Sequence, residues 1–482
     1  MSGIFGVVGE DDKACIEKVF YGTDYHSHLG TEYGGMAYFD GKEIQSDVKS
    51  ILLHPFRPQF SRFIRNVRTN MAIGVIGDYE PQPLDIKSRL GNYAIVHVGK
   101  INNLDELVEE SYKRGVHFSA EKIDGKPSPI EVIADLINQG KNYVDGVEIM
   151  QNSINGSSSI MLLTPEGIIV ARDKIGTTPI VVKQKDGATA ATLETCAFPN
   201  TGFGLEGYNY LGPGEIGIIT KKGYEQLKKP GVVLKICDFL YIYYGNPASC
   251  YEGINSEVTR YKFGRLLAEA DEEDLERGIL KVDFVTGIPD SGIGSGLGYS
   301  HASRLPFMRP YIKYTNTWQR SFMPRKQETR DLFAKMKLIP VRELIYLMSI
   351  LSTEDSIVRA TQLKKKIQEL FDYGAREVHM RPSCPPLIFT CTKLNFSRSK
   401  DLFDLAARRA MREVEGKKEF DISPYLDENS EKYLRMIDFI RGDLGLTSLK
   451  YPKYSEKGMV SAIGLPEEKL CGGCWKECIS CK

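Results

Sequence analysis

Two groups of residues in this chain have the types and spacing to do chemistry. The first is the run Cys471-Gly-Gly-Cys474-Trp-Lys-Glu-Cys478-Ile-Ser-Cys481. The N-terminus lacks the basic-then-apolar pattern of an export signal, so thiols this dense point to a metal or iron–sulfur centre rather than to disulfides. The Cys-x2-Cys-x3-Cys-x2-Cys spacing could close a tetrahedral Zn2+ site locally, build a second centre, or form a redox-active tail. The second group is Glu354-Asp355-Ser-Ile-Val-Arg-Ala-Thr361, directly after the apolar run Ile350-Leu351. A strand ending in two acids, followed by a hydroxyl-bearing loop that opens a helix, suits a ribose 5-phosphate. The acids can hold the ribose 2′- and 3′-hydroxyls, directly or through Mg2+, and backbone N–H groups at the helix start can hold the phosphate. Taken alone, carboxylates at helix starts are common and need no ligand.

The elements that must position these groups fall into two styles. Up to about residue 220, short β-like runs dominate: 4–8, 35–39, 73–76, 93–97, 159–163, 168–171 and 215–219, with helices expected over 103–115 and 130–140. From Cys237 the pattern changes. Residues 238–249 read as a strand into a turn, and 253–268 as an amphipathic helix capped at Asn255 or Ser256. Strand and helix then alternate: a strand over 284–287, a helix after Ser291, a strand over 350–353, a helix over 362–373 and a strand over 377–380. That alternation predicts a parallel α/β sheet. The 482 residues are enough for two or three domains. The expected units are 1–235, 236–435 and a cysteine-bearing segment 436–482. Lys+Arg and Asp+Glu balance at 63 each, which gives no electrostatic case for nucleic acid or a membrane surface. The longest apolar run is far short of a membrane span. Ten cysteines without an export signal predict the reducing cytoplasm.

The first half resembles a class II glutamine amidotransferase domain. The matching motifs are Ser2-Gly-Ile-Phe-Gly6, His28-Leu-Gly30, Glu80-Pro-Gln-Pro-Leu84, Arg172-Asp-Lys-Ile-Gly176 with Pro179, Glu194-Thr-Cys-Ala197 and Pro213-Gly-Glu-Ile216. The resemblance implies an α+β N-terminal nucleophile-type sandwich (αββα). It also implies a catalytic nucleophile at the first mature residue, which is serine here rather than cysteine. Ser2 would be exposed by removal of Met1, and its own α-amino group could take the hydroxyl proton. Three further family features are missing. The oxyanion Asn-Gly pair is Val98-Gly99, the arginine that clamps the glutamine carboxylate falls at Gly77, and the aspartate that holds the glutamine amino group falls at Pro129. Loss of one oxyanion donor costs about a hundred- to a thousandfold in rate. The domain is therefore expected to be either a glutaminase remnant kept for structure or an amidohydrolase acting through Ser2 on another amide. The plain alternative for Ser2 is an ordinary processed N-terminus.

The second half is similar to the glutamine phosphoribosylpyrophosphate (PRPP) amidotransferase family, whose members carry out the first committed step of purine synthesis. The string Glu354–Thr361 carries the similarity, with Val285-Thr-Gly-Ile-Pro-Asp-Ser-Gly292 and Lys335-Met-Lys-Leu-Ile-Pro-Val-Arg342 in the same order as in the family. The resemblance implies an α/β type I phosphoribosyltransferase domain that binds PRPP and Mg2+ through Glu354, Asp355, Ser356, Arg359, Thr361 and Arg320, in a homo-oligomer. Two departures weaken it. Ala360 replaces a glycine, and a methyl there resists a positive φ and crowds the phosphate. The pyrophosphate-gripping loop keeps only Arg320-Ser321. One branch of the family holds a 4Fe–4S cluster, and its four ligand positions map to Cys237, Cys391, Cys471 and Cys474. The expectation is a protein that cannot use glutamine, with PRPP binding and ammonia-dependent turnover or, alternatively, a non-catalytic iron–sulfur partner or regulator of a true amidotransferase.

Overall fold

The computed structural model describes residues 2–118, 125–314, 338–394 and 401–476. The chain opens with β1 (Ser2–Val8), buried along its whole length. Its alternation serves two cores at once: Ile4 and Val8 face one apolar cluster, Phe5 and Val7 another. Next come β2 (Tyr33–Phe39), β3 (Ile44–Ser50), β4 (Met71–Gly77), β5 (Leu84–Ser88), β6 (Gly91–Ile101), β7 (Gly156–Thr164) and β8 (Gly167–Ala171). The first half continues with β9 (Val181–Lys185), β10 (Ala188–Thr192), β11 (Asn209–Tyr210), β12 (Ile216–Thr220) and β13 (Gly223–Lys228). One sheet runs β11-β9-β10-β1-β4-β2-β3 and the other β13-β12-β8-β7-β6-β5. Their inner faces share a core that includes Ile4, Val75, Val96, Val98, Met161 and Val170. The helix Asp12–Asp24, capped by the Asp11 carboxylate, covers the outer face of the first sheet. The helices Leu104–Lys113, Pro129–Asn138 and Tyr143–Ser153 cover the second. Every strand and helix expected from the pattern in this half is present.

In the second half, residues 239–242 form a short helix, Phe239–Ile242, rather than the expected strand. Phe239, Leu240, Tyr241 and Ile242 are all buried, and an apolar run buried on every side has no periodicity that separates helix from strand. The hairpin β14 (Cys250–Tyr251) and β15 (Ile254–Asn255) leads into the helix Ser256–Glu276, which Asn255 caps through its side chain to the Val258 N–H. The strands that follow are β16 (Phe284–Gly287), the paired β17 (Tyr311–Lys313) and β18 (Leu338–Pro340), β19 (Ser349–Glu354), β20 (Glu377–Pro382) and β21 (Ser448–Leu449). β16, β19, β20 and β21 form a parallel sheet in that order. Phe284, Ile350 and Val378 pack toward the helices Thr361–Asp372, Ala406–Glu415 and Glu431–Leu444. Val285 and Leu351 pack toward Ser256–Glu276 and Ile293–Ser303. A sheet covered on both faces is what βαβ crossovers produce. No helix among the described residues is long and apolar enough to cross a membrane.

Candidate functional site

Three distant stretches of chain meet at one small cavity. The segment before the helix Phe239–Ile242 is held by the Lys235 N–H on the Ile175 carbonyl and the Cys237 N–H on the Thr177 carbonyl. The last described segment returns alongside it, with the Ile236 N–H on the Lys469 carbonyl and the Cys471 N–H on the Ile236 carbonyl. The strap after β20 closes the third side, where the Ile388 and Phe389 N–H groups both donate to the Cys474 carbonyl. Cys237, Cys391, Cys471 and Cys474 line the resulting cavity of about 20 Å³ with Asp238, Phe239, Lys393, Gly472 and Trp475. The strap is also gripped by the first half: Asn102 Nδ2 donates to the Thr392 carbonyl at 2.7 Å and Lys393 Nζ to the Gly156 carbonyl at 3.2 Å.

Burial, reinforced by the neighbouring thiols, pushes Cys237 and Cys474 well above the usual thiol range and Cys471 up to about 12. Burial likewise raises the Asp238 carboxyl to about 6, against hydrogen bonds from the Gly472 N–H (3.2 Å) and Tyr454 Oη (2.9 Å). The Leu394 N–H donates to Cys391 Sγ at 3.2 Å. Among the described residues no three His, Cys, Asp or Glu side chains are grouped to hold one metal ion. A single Zn2+ draws its sulfurs to about 2.3 Å from one point. The four thiols ring a cavity little larger than the roughly 10–15 Å³ one water needs, and four thiolates are also the donor set of iron–sulfur centres. Cys478 and Cys481 lie outside the described residues.

The acidic pair stands at the C-terminal edge of the parallel sheet, where open α/β sheets bind ligands. Glu354 ends β19 and accepts the Ser383 N–H on its carbonyl at 2.8 Å. Both Glu354 and Asp355 are buried, and Ser356 Oγ donates to Asp355 Oδ1 at 2.6 Å. The loop is pinned from outside by the Ala406 N–H on the Val358 carbonyl and by Arg409 Nη2 on the Arg359 carbonyl (3.0 Å). Ala360 takes φ +68° and the helix begins at Thr361, so its first-turn N–H groups open onto the loop. One loop thus carries Glu354, Asp355, Ser356, Arg359 and Thr361, while Arg320 lies outside the described residues. Arg260 had no motif to announce it. It is buried, tied to the Tyr241 and Gly245 carbonyls, and lies within electrostatic range of Asp355.

Ser2 begins β1, buried, directly across from Gly77 of β4. Val75 and Val98 sit in the inter-sheet core with Ile4. Pro129 opens its helix after Ser128, and the Glu80 carboxylate ties that start to β6 by accepting from Ser128 Oγ, from the Ile130 N–H (2.9 Å) and from His97 Nε2. The buried His97 Nδ1 has no partner. Glu194 is wholly buried between the two halves, bonded by His28 Nε2, Tyr251 Oη (2.6 Å) and the Asn246 N–H (3.1 Å). Burial alone would raise its carboxyl, but His28 and these hydrogen bonds hold it at about 2.

Comparison with known proteins follows this geometry. Residues 68–197 match a glutamine amidotransferase domain family. The amidophosphoribosyltransferase of Pyrococcus horikoshii is 30% identical over 402 residues, which cover 81% of this chain and 83% of that protein. The chain belongs to the amidophosphoribosyltransferase family. The family member from Methanothermobacter thermautotrophicus is 28% identical over 487 residues, 98% of this chain and 93% of its own. Among solved structures, the glutamine PRPP amidotransferase of B. subtilis complexed with ADP and GMP matches with a TM-score of 0.79 at 26% identity, covering 98% of this chain and 96% of that one. The allosteric regulatory enzyme of purine biosynthesis matches with a TM-score of 0.78 at 26% identity, covering 98% and 95%. The fold is accordingly an N-terminal nucleophile-type amidotransferase sandwich followed by a type I phosphoribosyltransferase domain.

Proposed function

We propose that this amidophosphoribosyltransferase-family protein acts in purine nucleotide metabolism in the cytoplasm, does not hydrolyse glutamine, and binds PRPP at the loop Glu354–Thr361. The observation that carries the first negative is the packing around β1. Val75 and Val98 belong to the same apolar core as Ile4, and the residue opposite Ser2 is glycine. A glutamine there would lose the water around its charged ends and find neither a donor at 98 nor a cation at 77.

At the second site, Glu354 and Asp355 would orient the ribose hydroxyls, and Ser356, Thr361 and the first-turn N–H groups would hold the 5-phosphate. Mg2+, held through the acids, would neutralise the pyrophosphate. Free ammonia would then attack C1: a C1–N bond forms, the C1–O bond to pyrophosphate breaks, and the nitrogen gives up a proton. Cys237, Cys391, Cys471 and Cys474 would hold a 4Fe–4S cluster, which supplies a cross-link between the strap, the segment at 235–237 and the C-terminal segment.

Pyrophosphate release from PRPP, assayed with ammonia and separately with glutamine, tests this reading. Ammonia-dependent release without glutamine-dependent release is expected; turnover with glutamine would overturn it. A second reading, a PRPP-binding partner or regulator without turnover, is favoured by the Ala360 methyl in the phosphate loop. Calorimetric PRPP binding with no release under any amine would select it.

A further inference from the structure

A cleft of about 340 Å³ lies between the strap after β20, the chain at 425–433 and the last described residues. That volume is within the range of small-molecule clefts. It shares only Trp475 with the thiol cavity and includes no residue of the loop Glu354–Thr361.

The walls are aromatic. Trp475 is held between Phe239, at 5.5 Å and 10° from parallel, and Tyr454, at 5.1 Å and 27°. Trp475, Tyr454, Tyr425 and Tyr433 line the cleft, and all four are buried. Three of them have polar tips bonded to protein. Trp475 Nε1 donates to the Pro385 carbonyl, Tyr454 Oη to Asp238 Oδ2 and Tyr425 Oη to Glu415 Oε1, each at 2.9 Å. Tyr433 differs. It is 7% exposed, yet its hydroxyl has no hydrogen-bond partner among the described residues and lies within electrostatic range of the Glu428 carboxylate.

Glu428 complements that free donor. Its Oε1 accepts the Tyr454 N–H at 2.8 Å, and its second oxygen accepts from nothing among the described residues. A buried phenol and a half-buried carboxylate in this state cost free energy unless something in the cleft bonds them. The charges on the lining cancel, Asp427 and Glu428 against Lys453 and Lys476. Both cations are also engaged, Lys453 Nζ with Asn429 Oδ1 at 2.8 Å and Lys476 Nζ with Glu467. The cleft therefore has no net charge with which to draw an ion.

We propose that this cleft binds a small, uncharged heteroaromatic molecule whose edge carries an N–H donor beside an acceptor, as a lactam does. The ring stacks against Trp475 and Tyr454, the N–H donates to Glu428, and the acceptor receives the Tyr433 hydroxyl. This site stands apart from the function proposed above, because neither the acidic loop nor the thiols take part.

Calorimetry on the full-length protein, with quinazolin-4-one as an uncharged two-ring lactam probe, tests it. Saturable binding with a Kd below about 1 mM is expected, an ordinary strength for so small a ligand. Glu428→Gln keeps an acceptor for the Tyr454 N–H and is expected to weaken binding at least about tenfold; Tyr433→Phe keeps the ring and should weaken it at least about threefold. The N-methylated probe, 3-methylquinazolin-4-one, lacks the donor and needs no variant; it is expected to bind the parent chain at least about tenfold more weakly. Absence of saturable binding up to about 5 mM probe overturns the proposal. Equal affinity in the parent and both variants does so too, since the probe would then sit elsewhere. Equal affinity for the methylated probe, or tighter binding of the same ring carrying a carboxylate, overturns the ligand class.

Discussion

The two halves of this chain have treated their polar groups in opposite ways. Around Ser2, Val75 and Val98 have joined the sheet–sheet core, and the buried charges that persist there bond to protein: Glu80 to Ser128, Ile130 and His97, Glu194 to His28, Tyr251 and Asn246. In the second half, four thiols line one cavity, and two buried acids sit in a loop at a sheet edge. Buried polar atoms cost free energy unless they are bonded. A site that no longer meets a substrate is therefore expected to fill with apolar side chains or to close its hydrogen bonds internally. The thiols that line a cavity are the side chains the proposed function assigns to a bound group.

The largest effect that can break this contrast lies at the thiols. Cys474→Ser leaves the ring one sulfur short. Loss of a group that only supports a metal ligand already costs about 10–100-fold in affinity, and loss of the ligand itself should cost more. Iron per chain after anaerobic desalting is expected to fall to background, with a lowered melting temperature. Retention of parental iron by Cys474→Ser would mean that these thiols are packing residues and that the two halves do not differ.

Glu194 probes the other side of the contrast. Its carboxyl is held at about 2 in the folded chain against an ordinary 4.5, so its charge contributes stability that is complete above about 4.5 and lost as the pH falls toward about 2. The depression is worth on the order of 3 kcal/mol. Urea unfolding measured from pH 6 down to 3 should show that decline in the parent, and Glu194→Gln should flatten it. A parallel decline in the variant would show that the Glu194 charge is not serving the seam between halves.

Val98→Asn asks whether the first site has truly closed. The new amide would enter an apolar core, and an unsatisfied buried polar group costs about 1–3 kcal/mol. A drop of that size in urea-derived stability, with no glutaminase activity even when combined with Ser2→Cys, is expected. A neutral change would reveal a polar pocket still open beside Ser2.

Much of this was legible in the sequence, and the gaps have physical causes. Strands such as 159–163 and 284–287 announce themselves by apolar composition between turns, and Asn255 announces its helix by its capping chemistry. The segment 239–242 was misread because a fully buried run carries no period. The cysteine set was readable only through resemblance. Nothing local in the sequence says that Cys471 pairs its backbone with Ile236 or that the strap bonds to Cys474. The stack of Phe239, Trp475 and Tyr454 was invisible for the same reason: it joins residues far apart in the chain, and neither propensity nor spacing encodes that.

The smallest effect is at Ala360, where the second half departs from its own pattern. The residue sits at φ +68°, which costs an L-residue with a Cβ about 1–2 kcal/mol. Ala360→Gly removes that strain but frees the unfolded chain, which returns about 0.4–1 kcal/mol. A net gain in stability of about 0.5–1 kcal/mol is expected from urea unfolding. The more telling measurement is PRPP affinity by calorimetry. If the methyl only strains the backbone, the affinity should change by less than about threefold. If it stands between the loop and the phosphate, affinity should rise by about tenfold or more, since a glycine lets the backbone N–H groups approach. In that case the second half would be closing its site, as we propose for the first half, and the partner-or-regulator reading gains over turnover.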